Sequence, residues 1–82
     1  MGIIGRLISP KALYLAGRVE KIEAEIGYSV ITNEGPVWHS GFITAETREK
    51  IYIEEANHTP KKITSRWLDK DDQRIVGYFT GK

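Results

Sequence analysis

From Tyr28 to Thr80 apolar and polar residues alternate in short runs, and each run ends in residues that favour turns. The breaks fall at Asn33-Glu34-Gly35-Pro36, at Asn57-His58-Thr59-Pro60 and at Asp69-Lys70-Asp71-Asp72-Gln73. A period of two bounded by such breaks is the pattern of half-buried antiparallel strands. Tyr28–Thr32 and Val37–Ile43 are expected to form a hairpin, with Val30 near Trp38 and Tyr28 near Ser40. Trp38 and Phe42 then point one way and Val37 and Ile43 the other, as in a central strand covered on both sides. Lys50–Glu55 alternates cleanly, with Ile51 and Ile53 facing in and Lys50, Tyr52 and Glu54 facing out. Lys62–Leu68 and Arg74–Thr80 are expected to close a last hairpin that pairs Trp67 with Ile75 and Ile63 with Phe79. Thr44 to Thr47 reads as a loop or a single helical turn.

Residues 10–26 carry two patterns at once. Ala12, Leu15, Val19, Ile22 and Ile26 recur every three or four positions, which is one face of a helix. Ser9 followed by Pro10 suits an N-cap and a first helical residue, and Gly27 sits where a terminating glycine belongs. Gly17 opposes this reading, at about 1 kcal/mol relative to alanine inside a helix. Ile22, Ala24, Ile26, Tyr28 and Val30 also alternate as a strand would. The helical reading predicts an α+β domain in which one N-terminal helix, Pro10–Ile26, packs on an antiparallel meander of about five strands. The strand reading predicts an all-β small barrel of the SH3 or OB type.

Eighty-two residues make one domain with a modest core. There is no cysteine, which excludes a disulfide and a cysteine-based zinc site. No run approaches the roughly 20 apolar residues of a membrane span, and the first residues lack the layout of a secretory signal. A soluble, cytoplasmic protein without a membrane association is expected. Twelve basic residues stand against eleven acidic ones. That balance works against binding driven by phosphate neutralisation.

Few residues invite chemistry. His39 and His58 lie on different elements without the spacing of a metal pair. Ser40 follows His39, but neighbours on a strand point to opposite faces, which breaks a direct dyad. Asp69, Asp71 and Asp72 resemble the start of a calcium loop, yet Arg74 and Thr80 occupy the places that need glycine and glutamate. Asn57-His58-Thr59 fits a glycosylation acceptor and means little without export. No catalytic residue, metal ligand or cofactor is predicted, and no motif assigns the chain to a family.

Surfaces are more informative. Leu13 and Tyr14 fall outside the helical stripe, and together with Ile3, Ile4, Leu7 and Ile8 they leave apolar surface in excess of one core. The function expected is that of a non-enzymatic protein-interaction module. It would be an accessory subunit or inhibitor that docks on a larger protein, or it would self-associate as a homo-oligomer. Leu13, Tyr14, Tyr52 and Tyr78 are the contact residues this reading selects. The first alternative is a small nucleic-acid-binding β-domain using Lys62, Arg66, Arg74 and Trp67, with Tyr78 as a stacking ring. The second is a small-ligand binder or enzyme with His39 beside Trp38 in a pocket.

Overall fold

A computed structural model of the protein describes residues 9–56 and 63–81. It has one short N-terminal helix and a five-stranded antiparallel sheet, a small α+β domain. The elements are α1 (Pro10–Leu15), β1 (Ser29–Glu34), β2 (Val37–Glu46), β3 (Lys50–Ala56), β4 (Ile63–Asp69) and β5 (Ile75–Phe79). The strand order is β4-β3-β2-β1-β5. The two edge strands, β4 and β5, do not pair with each other, so the barrel of the alternative reading is not closed.

The helix begins as the sequence predicts. The Ser9 hydroxyl accepts from the Ala12 N–H at 3.1 Å, and Pro10 occupies the first turn. It ends far earlier than Ile26, and Gly17 is the reason. That glycine adopts a left-handed φ of 73°. The Gly17 N–H donates to the Tyr14 carbonyl at 3.0 Å and the Arg18 N–H to the Leu13 carbonyl at 2.9 Å. These two bonds form a Schellman cap, which stops a helix by satisfying its last carbonyls. Gly17 is therefore a terminator, where the periodicity through Ile26 treats it as an interior defect. Beyond it the chain runs extended. Glu20 forms a two-bond bridge with Tyr78, its N–H donating to the Tyr78 carbonyl and its carbonyl accepting the Tyr78 N–H, both at 2.8 Å.

The inner face of the sheet holds the core: Val30, Ile43, Ile51, Ile53, Leu68 and Tyr78, with Ala24 from the extended segment closing over them. Lys50, Tyr52 and Glu54 face outward on β3, as the alternation predicts. β2 is the central strand, with Ile43 in the core and Trp38 on the outer face beneath the helix. It continues through Glu46 where a loop was expected, and the turn comes at Thr47, whose hydroxyl accepts from the Lys50 N–H at 3.0 Å.

Two expected registers differ. β1 and β2 join through the two-residue loop Gly35-Pro36, a common hairpin length, so Val30 lies opposite Gly41 and Trp38 opposite Asn33. The shift is odd, which puts Val30 and Trp38 on opposite faces. β4 and β5 form no hairpin either. The Asp69 carbonyl accepts from the Asp72 N–H at 3.0 Å, and the Asp72 carbonyl accepts from Ile75 at 3.1 Å. These successive turns carry the chain past β4 to the far edge, where β5 pairs with β1. Such a short connection between opposite edges requires a strongly curled sheet.

Candidate functional site

The outer face of the sheet is covered over one half and bare over the other. Ile31 points outward, because its neighbours Val30 and Thr32 belong to the inner face. It is nonetheless fully buried, since α1 lies against this side of the sheet. Leu13 is buried in that contact, and the Tyr14 ring sits 5.3 Å from the Trp38 ring. Arg18 adds a guanidinium 5.4 Å above the Phe79 ring, a cation–π contact.

Toward β3 and β4 nothing among the described residues plays the helix's part. Phe42 is opposite Glu54, and Glu54 is opposite Ser65. In the next outward row Ala45 is opposite Tyr52, and Tyr52 opposite Trp67. Phe42 and Tyr52 are thus diagonal neighbours on adjacent strands, within reach of each other for aromatic side chains. The Tyr52 and Trp67 rings are 5.0 Å apart, and the Tyr52 hydroxyl donates to Ser65 Oγ at 2.8 Å. Phe42 remains 52% exposed and Trp67 49%. Three aromatic residues held by strands, Phe42 and Trp67 half in water and Tyr52 partly buried between them, are the candidate site.

Only part of it was selected from sequence. Both Tyr14 and Tyr52 lie on the outer side of the sheet, Tyr14 on the helix against Trp38 and Tyr52 in the bare half. Leu13 and Tyr78 are corrected to interior positions, at 7% and 5% exposure. Leu13 faces the sheet because the helix is short and lies on its Leu13 side. Tyr78 faces the core because β5 pairs with β1, opposite Val30, and burial pushes its hydroxyl pKa up. Phe42 was missed because its strand was expected to be covered twice along its whole length. Six helical residues cannot reach that far.

The residues of the nucleic-acid reading do not converge. Lys62 lies outside the described residues. Trp67 is exposed on the outer face, but Arg66, its neighbour on β4, points inward. Its guanidinium donates to Glu34 at the end of β1 and to Glu55 on β3, the latter at 3.0 Å. Its buried Nε–H has no partner among the described residues. Arg74 donates from Nε to Asp72 Oδ1 at 3.0 Å and from Nη2 to Oδ2 at 2.8 Å. Thr32 donates to Glu34 at 2.9 Å. The Arg66 hydrogen bond holds the Glu34 carboxyl below its usual range, and that of Arg74 brings Asp72 down to about 2. These cations are engaged by carboxylates and address the end of the core.

His39 is half-buried on β2 opposite Thr32. A groove of about 580 Å³ lies elsewhere, between Ile22–Ala24 and the start of β5 with Asp72 and Tyr78 on its wall. His39 does not line it. Among the described residues no three His, Asp or Glu side chains gather as a metal site. No described helix is long and apolar enough to cross a membrane. Comparison of the chain with protein-family models, with curated proteins and with solved structures finds no match.

Proposed function

We propose that this chain is a non-enzymatic protein-interaction module whose contact surface is the bare outer face of β2, β3 and β4. The observation that carries this reading is the cluster Phe42, Tyr52 and Trp67 on adjacent strands, with Phe42 and Trp67 half exposed. Rigid aromatic side chains lose little entropy on docking and dominate binding energy at protein interfaces. A strand-held patch of them supports an accessory subunit or inhibitor, because it offers a fixed shape to a partner. The cysteine-free composition supports a reducing, cytoplasmic setting.

The test is purification of the tagged chain from the cell that makes it, beside the double variant Phe42→Ser, Trp67→Ser. Both substitutions fall on exposed side chains, so circular dichroism is expected to match. A companion protein or an oligomer held by the wild type and lost in the variant supports the reading. Identical behaviour of the two proteins sinks it.

A further inference from the structure

The two edges of the sheet differ in a way that names a partner. The β5 edge is occupied, because Glu20 bridges to Tyr78 with both backbone hydrogen bonds. Gly77 makes this close approach feasible: a Cβ there would stand 2.7 Å from the Glu20 carbonyl oxygen. The β4 edge has no such strap among the described residues. β4 pairs with β3 over seven consecutive positions, from Ile63 opposite Ala56 to Asp69 opposite Lys50, with no bulge. β1 with β5 and β2 with β3 are both interrupted by one. Proline, bulges, outward lysines and inward-pointing charges are the usual devices that keep an edge single, and the inward charge of β4, Arg66, is held by Glu34 and Glu55. Ile63–Asp69 contains neither proline nor lysine.

We propose that β4 pairs edge to edge with β4 of a second copy of this chain, antiparallel about a two-fold axis through Ser65. This deepens the reading of the chain as an interaction module and rests on it. Pairing about Ser65 sets Ile63 opposite Trp67 of the second copy, and Trp67 opposite its Ile63. The two most exposed apolar residues of the strand, 69% and 49%, thus cover each other twice on the outer face. Apolar pairs of this kind are what stabilise neighbouring strands. On the inner face Arg66 falls opposite Thr64 of the second copy. Pairing about Arg66 would instead set Arg66 against Arg66, a like-charge contact. Pairing about Trp67 would leave both Ile63 side chains without an apolar partner. The strand is therefore self-complementary in one register, as a two-fold interface requires. The five residues from Ile63 to Trp67 on each side, with two Ile63–Trp67 contacts, cover at most on the order of 1,000 Å² in total, the low end of specific interfaces. The dimer is accordingly concentration-dependent.

A chain without cysteine allows a direct test. Ser65→Cys places one thiol beside the axis, where opposite strand residues come within disulfide reach. Ser40→Cys, on the exposed outer face of β2, is the control. Under mild oxidation Ser65→Cys is expected to become mostly covalent dimer at protein concentrations where Ser40→Cys stays monomeric. In sedimentation equilibrium the wild type doubles its mass as concentration rises, and Ile63→Lys weakens that association by at least about tenfold. Equal cross-linking of the two cysteine variants overturns the proposal. So does a wild type that stays monomeric at about 1 mM, far above the dissociation constant of a working interface. A monomer that still holds a companion through Phe42 and Trp67 would overturn the self-pairing and leave the interaction reading standing.

Discussion

The half of the molecule built from β1, β5 and the start of β2 is finished, and the half built from β3, β4 and the rest of β2 is not. Each half carries a tryptophan on the outer face with a tyrosine ring about 5 Å away, Trp38 with Tyr14 and Trp67 with Tyr52. In the first half the tyrosine comes from a helix that seals Ile31 and Leu13 beneath it. In the second it comes from the neighbouring strand, and the tryptophan stays half in water. The edges repeat the contrast, with Glu20 strapped to β5 and nothing among the described residues along β4. The same local motif therefore supports stability in one half and stays exposed in the other, on the surface we propose for contact. The deciding factor is the third layer, not the aromatic pair.

The largest effect that would sharpen this contrast is in the sealed layer. Ile31 is fully buried, and Ile31→Ala removes its packing between helix and sheet. A loss of about 2–5 kcal/mol is expected from cavity formation, read as a fall in the urea midpoint. A loss below 1 kcal/mol would mean the helix adds little, and the two halves would be equivalent. Gly77→Ala comes next. Its Cβ would meet the Glu20 carbonyl at 2.7 Å and Val19 Cγ1 at 2.8 Å, and both belong to the strap. A loss of about 1–3 kcal/mol is expected from this overpacking, with faster hydrogen exchange at the Glu20 and Tyr78 amides.

The sequence makes the strands of this picture legible and hides the layers. Ile51 and Ile53 alternate with polar residues, so a period of two places β3 without further information. Leu15, Val19, Ile22 and Ile26 also keep a helical period, but Gly17 interrupts it, and interior glycine and terminal glycine look alike in a sequence. The difference lies in two hydrogen bonds, from Gly17 to Tyr14 and from Arg18 to Leu13. Register suffered for a similar reason. The five residues after Asp69 suit a hairpin tip as well as a crossing turn. The choice is made by Asp72, whose backbone and carboxylate bonds to Ile75 and Arg74 redirect the chain. Tyr52 could be read as a surface from alternation alone, whereas the expected pairing with Ile75 puts Trp67 on the apolar face. Phe42 could not be read so, since its exposure depends on where a helix on another segment stops.

The cap itself gives the next prediction. Gly17→Ala meets no atom within 4 Å, yet the φ of 73° is strained for any residue with a Cβ. About 1 kcal/mol of stability is expected to be lost through the backbone alone. If stability rises instead, the helix has extended past residue 17 and covers more of the face toward Phe42.

Acid should loosen the turn that links the open edge to the finished one. The Arg74 guanidinium and the Arg74 N–H bring Asp72 from its ordinary 3.8 to about 2. The folded state thus holds this proton less readily than the unfolded chain, so ionised Asp72 stabilises the fold above about pH 4. That contribution fades as pH falls from about 4 to about 2. Glu34, lowered by Arg66, acts in the same direction. Urea midpoints from pH 6 to pH 2 should fall less steeply for Asp72→Asn than for the wild type. Parallel curves would show that the pair is equally formed in the unfolded chain.

The smallest effect discriminates most. Trp38→Thr and Trp67→Thr are the same substitution at two outward strand positions, each removing an indole beside a tyrosine. Were the aromatic pair the source of stability, both would cost the same, about 0.5–1.5 kcal/mol beyond burial. The covered and bare halves predict otherwise. Trp38→Thr undercuts the helix, so its cost includes part of the packing over Ile31 and Leu13. Trp67→Thr removes a ring already half in water, and a change under about 1 kcal/mol is expected. Its β-branched replacement keeps strand propensity, so the urea midpoint should barely move while association falls. A Trp67 as costly as Trp38 would make β4 part of the structural core. A Trp67 that is cheap for folding and expensive for association leaves the bare half with no purpose except contact.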